Sequence, residues 1–316
     1  MKLNQICTVN PKIQQLLNTI EGQRTAYSLI PVKPDLSHHL RRHSLLRSAL
    51  YSAKIEGINE DTDTNKLAIQ NLEHTYSWLY AQPANLDINS NFIKALHSKS
   101  LHNLRGDAGS FRVEQSAIFN SAGVAVYLTP PPSEIKTLLE SWQKFYSNLE
   151  YHPLVQAIIA HYQFEKIHPF IDGNGRVGRL ILTQQLRHSS FDFGGILAIE
   201  EAIDSTRSDY YYHLQNESKD VTLFIEYFLN LIHASATKVL SKITQPGLDQ
   251  TTHSLLPRRQ ELLNILHDHK VVSFDFLHRR FAGIPSSTLR YDLLALQKGG
   301  YIKKLGVTRG SLYAPV

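Results

Sequence analysis

Residues His168 to Arg179 read His-Pro-Phe-Ile-Asp-Gly-Asn-Gly-Arg-Val-Gly-Arg, and this dodecapeptide constrains the fold more than any other part of the chain. Pro169 disfavours the α region for His168, so a helix arriving at that histidine must stop there. Gly173 and Gly175 permit a tight turn with exposed amide N–H groups. A second helix starts near Asn174, because Val177, Leu180 and Ile181 form a helical apolar stripe. Arg176 and Arg179 then share a face of its first turns. Cations at the positive end of a helix dipole are misplaced for stability. They make sense where an anion sits, as phosphates do at helix N-termini.

The chemistry of the segment follows from its residue types. An imidazole titrates near neutrality and suits base catalysis at His168. Asp172 offers one carboxylate, and Mg²⁺ prefers one or two carboxylates plus phosphate oxygens. A zinc reading is the competitor, since His161, Glu165 and His168 lie at i, i+4 and i+7. That spacing differs from His-Glu-x-x-His, and the third residue falls at a helix end before proline. His161 and Glu165 are therefore read as structural groups behind the motif.

The dodecapeptide resembles the signature of the Fic family, His-x-Phe-x-Asp/Glu-Gly-Asn-Gly-Arg-x-x-Arg, at every specified position. The resemblance implies adenylylation: transfer of AMP from ATP to a Ser, Thr or Tyr hydroxyl of a target protein, or of the chain itself, with release of pyrophosphate. It implies His168 as the general base and Asp172 as the ligand of Mg²⁺ between the α- and β-phosphates. Gly173, Asn174 and Gly175 become the anion nest, and Arg176 and Arg179 grip the outer phosphates. The Doc branch of the superfamily transfers phosphate instead and replaces the nest glycines with bulkier residues. Gly173 and Gly175 argue against that reaction here.

A second oddity lies upstream, at Ser52-Ala53-Lys54-Ile55-Glu56-Gly57. The stretch from Asp35 to Glu56 reads as a helix with Leu40, Leu45, Leu46, Leu50 and Ile55 as apolar positions, and Gly57 is a natural C′ residue. Glu56 then sits at the negative end of a helix dipole, where an anion is unwelcome. The segment looks like the inhibitory motif of the family, Ser/Thr-x-x-x-Glu-Gly/Asn. The resemblance implies that Glu56, with Ser52 in the same motif, pairs with Arg179 and excludes the γ-phosphate.

Between Gly106 and Pro132, two β-prone runs around Ser121 to Gly123 predict a hairpin followed by a stiff triple proline. This resembles the family flap, which adds an extended target segment by main-chain pairing; Tyr127 occupies a position often aromatic there. Arg207-Ser-Asp-Tyr-Tyr211 resembles a tyrosine pair whose second member, here Tyr211, lies by the nucleoside. A third tyrosine follows, so the register has an alternative. Some relatives carry Asn seven residues on, where this chain has Ser218.

A chain of 316 residues accommodates one large domain and a small one. The fold class read from these patterns is mainly α: a Fic helical core with a β-hairpin flap and a small C-terminal winged helix-turn-helix. The divisions are an N-terminal helical region at 1–95 carrying an inhibitory helix at about 35–57, a catalytic core at 96–240, a linker at 241–256 and the winged-helix-like domain at 257–316. Residues 252–316 hold ten Lys/Arg and four Asp/Glu, a net +6 against +5 for the whole chain. All of the positive excess therefore lies in the tail. Ser286, Ser287, Thr288, Arg290 and Tyr291 fall on the expected recognition helix, and Lys303, Lys304 and Arg309 on the wing. Either DNA or a protein is the expected docking partner. The single cysteine, Cys7, admits no internal disulfide, and no apolar run is long enough to span a membrane. The expectation is a cytoplasmic protein with ATP and Mg²⁺, a protein substrate bearing a hydroxyl and, from the family, a homodimer. Two other functions stay open: removal of AMP with Glu56 aligning a water, and a DNA-binding regulator whose core only senses nucleotide.

Overall fold

Every residue from Leu154 to Ile167 is buried. A helix covered on all sides must be the axis of a helical assembly rather than part of its surface. A computed structural model of the chain describes residues 4–119, 125–148, 150–215, 218–244, 257–281, 284–306 and 311–316. They fall into two compact units, Met1–Thr244 and Gln245–Val316.

The first unit contains α1 (Pro11–Leu29), α2 (Pro34–Ile55), α3 (Asp63–Ala81) and α4 (Ser90–Ser100), then a hairpin of β1 (Ala117–Phe119) and β2 (Ala125–Leu128). It continues with α5 (Ile135–Ser147), α6 (Pro153–Ile167), α7 (Asn174–His188), α8 (Ile199–Ser205), α9 (Arg207–Gln215) and α10 (Thr222–Thr244). The axial helix is α6, and its two sides feed two apolar cores. Leu154, Ile158 and Tyr162 pack with Ile13, Leu17, Phe224 and Phe228 on one side. Ala160, Phe164 and Ile167 pack with Leu72, Tyr76, Trp142, Val177 and Ile181 on the other. Helix starts follow local chemistry: Pro11, Pro34 and Pro153 occupy first turns, while Asn10, Thr62 and Asn89 accept from orphan N–H groups.

Helix α2 ends as expected, with Glu56 at its C-cap and Gly57 at φ +77°. Its buried face differs from the expected leucine stripe. Leu46 is exposed, and Leu45 and Leu50 are only partly covered. The buried positions are Leu40, Ser44, Ser48, Ala49, Ser52, Ala53 and Ile55. Small residues let α2 press closely against α3 and α8, and the serines place hydroxyls where a leucine face would place none. Helix α10 corrects the linker expected from residue 241. Val239 and Ile243 continue its buried stripe at i, i+4, so the helix runs to Thr244; residues 245–256 lie outside the described residues.

The second unit runs α11 (Pro257–His269), β3 (Val272–Ser273), α12 (Phe274–Arg280), α13 (Ser286–Lys298), β4 (Ile302–Leu305) and β5 (Leu312–Pro315). Its antiparallel sheet has the order β3-β5-β4. The two-residue β3 is too short to read from periodicity. Leu262, Leu266, Leu277, Leu289, Leu293, Leu296 and Ile302 form the core. On α13 the exposed residues include Ser286, Ser287, Arg290, Tyr291 and Leu294, and Thr288 is half-buried. Lys303 and Lys304 are exposed on β4, while Arg309 lies outside the described residues. No described helix is long and apolar enough to cross a membrane.

One polar contact inside this small unit bears on its stability. The Asp292 side chain is fully buried, with its carboxylate 2.5 Å from Arg258 Nε and 2.7 Å from Arg259 Nε. Burial opposes its charge, but the two arginine hydrogen bonds outweigh that and hold its pKa below the usual carboxylate range. Asp292→Asn should leave two guanidinium groups undercompensated and destabilise the C-terminal unit by about 2–3 kcal/mol. Urea denaturation of the full chain should then show an earlier transition, and an unshifted one would refute the assignment.

Candidate active site

The turn between α6 and α7 gathers the site. His168 caps α6 in the left-handed region (φ 48°, ψ 61°), and Gly173 caps the start of α7 at φ 79°, ψ 9°. A side chain on Gly173 would collide with Leu101 as well as strain that backbone. Asn174 does not present its side chain to a ligand. It is turned inward, accepting from Phe170 N (2.8 Å) and donating to Phe170 O (2.9 Å), and so closes the loop on itself.

His168 Nδ1 lies 3.2 Å from Glu165 O. A carbonyl only accepts, so the proton sits on Nδ1 and Nε2 keeps a free lone pair. Burial pushes the imidazole down to about 4, partly opposed by the Glu165 carbonyl and the charge of Glu56. The ring is therefore neutral around pH 7. Glu165, fully buried one turn earlier, is pushed up to about 8 by the same desolvation, with Arg179 opposing.

Arg179 is the most enclosed charge in the site, with no exposed surface. Its Nε donates to Ser52 Oγ (3.0 Å), and its Nη2 donates to Ser52 O (2.8 Å) and Glu56 Oε1 (2.8 Å). Burial disfavours the charged guanidinium, but Glu56, together with Tyr210 and Tyr211, outweighs it and raises the pKa. The remaining nitrogen, Nη1, is buried with no acceptor among the described residues. Two glycines make this approach possible: a methyl at Gly175 would strike the Glu56 carboxylate and one at Gly178 would strike that of Glu165. Arg176, also buried, donates from Nη2 to Asp172 Oδ2 at 2.9 Å. Asp172 Oδ1 accepts from Gly173 N at 2.6 Å, and its side chain is 48% exposed. One carboxylate open to solvent beside a glycine turn suits a cation that takes its other ligands from phosphate and water. Among the described residues no cluster of three His, Cys, Asp or Glu could hold a metal alone.

His161 behaves as a structural group, whereas Glu165 lines the cavity with its buried Oε1 lacking a partner among the described residues. His161 Nδ1 donates to Gly178 O (3.2 Å), and its Nε2 accepts from Tyr210 Oη (3.0 Å). Burial pushes this imidazole down to about 3. Tyr210 and Tyr211 both line the cavity, Tyr210 buried and Tyr211 partly exposed, while Tyr212 is exposed. The Tyr211 hydroxyl donates to Ile55 O at the end of α2 (3.1 Å). Ser218 instead closes a turn by accepting from Asp220 N.

A cavity of about 590 Å³ joins these groups, lined by Glu56, His168, Gly175, Arg179, Tyr211 and the β1 residue Ile118 among others. That volume is in the range of sites for drug-sized ligands. The flap is a hairpin with Ala117 opposite Leu128 and Ile118 opposite Tyr127; its expected turn at Ser121 to Gly123 lies outside the described residues. Tyr127 Oη donates to Lys166 O (3.1 Å), and Lys166 Nζ lies 4.2 Å from its ring centroid, which seats the flap on α6.

Several site-shaping residues carry no signal in a single sequence. Arg112 is buried and donates to the carbonyls of His168 (2.8 Å), Glu114 (3.0 Å) and Pro130 (2.5 Å), tying the flap base to the catalytic turn. His97 stacks on Phe170 at 3.7 Å; its Nδ1 accepts from Gly109 N and its Nε2 donates to Asp172 O. Glu200 is buried on α8 and accepts from three hydroxyls.

Comparison with known proteins agrees with this geometry. The model of the Fic/DOC family matches residues 87–186. Protein adenylyltransferase Fic of Drosophila yakuba is 30% identical over 149 residues, covering 45% of this chain and 27% of that protein. The Drosophila melanogaster protein of the same name is 29% identical over an equal span. The chain thus spans about a quarter of the length of these relatives. Among solved structures, a Fic family protein from Desulfovibrio desulfuricans superposes with a TM-score of 0.66 at 22% identity, over 98% of this chain and 97% of that one. Fic-1 of Caenorhabditis elegans does so with 0.63 at 20% identity, over 74% and 73%. These likenesses establish a mainly helical Fic fold, and residues 87–186 match the Fic/DOC family.

Proposed function

We propose that the chain is a protein adenylyltransferase that moves AMP from ATP to a protein hydroxyl and that rests in an inhibited state. The observation that carries this reading is the 2.8 Å pair between Glu56 and the fully buried Arg179, in the same cavity as His168. The names of the Drosophila relatives support the transferase activity.

In this reading His168 Nε2 takes the proton from the incoming Ser, Thr or Tyr hydroxyl. The oxygen attacks the α-phosphorus, and the bond to the pyrophosphate oxygen breaks. Gly173 and Gly175 leave the backbone N–H groups at the start of α7 open to phosphate, with Asn174 holding the loop in shape. Arg176 and Arg179 bind the outer phosphates, and Tyr211 flanks the nucleoside. Asp172 would hold Mg²⁺, which would neutralise phosphate charge. The hairpin carrying Tyr127 would align an extended target segment beside β1. With Glu56 on Arg179, the γ-phosphate has no counter-charge and ATP is held unproductively or not at all. Glu56 also lines the cavity from a position open to water, which supports the reverse reaction, hydrolysis of a protein-bound AMP, as the second reading.

The deciding experiment is incubation with α-labelled ATP and Mg²⁺. Glu56→Gly should label itself at least tenfold faster than the wild type, and Glu56→Gly with His168→Ala should not label. Equal labelling in both would overturn the reading, and no labelling in either would leave only a nucleotide sensor. Release of AMP from labelled protein by the wild type but not by His168→Ala would establish the reverse reaction.

A pH profile tests the state of the base. His168 works only as neutral imidazole, and burial pushes its pKa down to about 4. Transfer by Glu56→Gly should persist as the pH falls past 6 and disappear only near 4, read as kcat/KM, which reports the free enzyme. An acid limb at the ordinary histidine value near 6.5 would contradict the buried environment.

The C-terminal unit is assigned docking to a polyanion. Arg290, Lys298, Lys303 and Lys304 are exposed, while the acid of the same helix, Asp292, is buried on two arginines. Binding of a labelled DNA duplex should weaken steeply between 50 and 200 mM salt. Absence of binding at low salt would leave protein docking as this unit's role.

A further inference from the structure

One buried acid of the cavity is left unused by the proposed chemistry. Glu165 belongs to the cavity wall yet is only 7% exposed. Its Oε1 is sealed from solvent without a partner, and no described residue hydrogen-bonds its side chain. The carboxyl lies in a niche between α6 and α7 that exists because residue 178 is glycine: a methyl there would come within 2.1 Å of Oε1. Burying an unpaired carboxyl costs stability, and an apolar side chain would fill the niche without that cost. A polar group kept in this way calls for a partner that arrives from outside the chain.

The chemistry of the niche narrows that partner. Among the described residues no three His, Cys, Asp or Glu come together to hold a metal. Burial pushes the Glu165 pKa up to about 8, with Arg179 opposing and Glu56 adding to the rise. At pH 7 the group is therefore mostly a neutral carboxyl, which does not repel a triphosphate lying nearby. A neutral carboxyl presents one O–H donor beside a carbonyl acceptor. An alcohol, itself both donor and acceptor, matches that pair.

Position selects which alcohol. Glu165 lies one turn before His168 on α6, and its carbonyl takes the His168 Nδ1 proton (3.2 Å). Tyr210 and Tyr211 of α9 line the same cavity. In the adenylyltransferase reading His168 serves the α-phosphorus and Tyr211 flanks the nucleoside. The ribose joins those two parts of ATP, and its 2′ and 3′ positions carry the only alcohols of the nucleotide. Acidic side chains take ribose hydroxyls in dinucleotide-binding folds by the same pairing.

We propose that Glu165 binds a ribose hydroxyl of ATP and makes the site selective for ribonucleotides. The inference rests on the adenylyltransferase reading above. Two neighbours on one helix then have separate tasks: His168 takes the proton of the target, and Glu165 seats the sugar.

The test uses the full chain carrying Glu56→Gly, alone and with Glu165→Gln or Glu165→Ala added. Each protein is titrated calorimetrically with the Mg²⁺ complexes of ATP, 2′-deoxy-ATP and 3′-deoxy-ATP. With Glu165 in place, one of the two deoxy nucleotides should bind about tenfold more weakly than ATP, as for loss of a buried hydrogen bond. Glu165→Ala should weaken ATP by a similar factor and abolish the preference, because the two changes remove one interaction and their losses do not add. Glu165→Gln, which keeps a donor and an acceptor, should retain it. The nucleotide comparison on the Glu56→Gly chain remains informative should Glu165→Ala fail to fold. Equal binding of all three nucleotides by that chain, or an undiminished preference in Glu165→Ala, would overturn the proposal. A Glu56→Gly protein that shows the preference but transfers no AMP would refute the adenylyltransferase reading alone; one that binds no nucleotide would refute both.

Discussion

A guanidinium with no exposed surface sets the terms for the first unit. Arg179 projects from the second turn of α7 into a space bounded by α2, α6 and the Gly175 backbone. An unpaired charge there would cost several kcal/mol, so the neighbouring elements must supply acceptors. They do so through Ser52 and Glu56 at the end of α2. This requirement explains why α2 buries serines and alanines where a helix of its length would ordinarily bury leucines. It also explains Gly175 and Gly178, whose missing side chains leave room for the carboxylates of Glu56 and Glu165.

The catalytic turn is held from outside as firmly as from within. Its own residues close the loop through Asn174 and Phe170. Arg112 and His97 then fix its carbonyls from two other directions, at His168 and Asp172. A left-handed histidine at a helix end is a strained conformation that persists only when surrounding contacts over-determine it. Here the imidazole proton is committed to Glu165 O, which leaves Nε2 as the free base. Burial then keeps the ring neutral, so geometry and protonation agree on a free Nε2 lone pair.

Much of this was legible along the chain because the signals are local. The stop at His168, the turn at Gly173 and the restart at Asn174 follow from backbone preferences of single residues, and α6 ends and α7 begins where those preferences place them. Gly57 marked the end of α2 for the same reason. What misled was a pattern read without its neighbours. Leucine spacing placed Leu40 and Ile55 correctly but not Leu46, which is exposed, since burial depends on which helix lies opposite. The end of α10 slipped by four residues because Ile243 belongs to a core assembled from distant segments.

Residue types and spacing by themselves determined the chemistry on offer: an imidazole, a carboxylate, a glycine turn and two arginines in one helix-turn-helix, with a misplaced glutamate upstream. Only the tertiary structure decided how those parts are charged and paired. Glu56 and Arg179 are 123 positions apart in sequence and 2.8 Å apart in space. Asn174 turned out to brace the loop and Tyr211 to bond the end of α2. The physical reason is burial: desolvation moves the histidines and carboxyls from their ordinary pKa values and penalises every unpaired charge, and it exists only once separate helices have closed around the site.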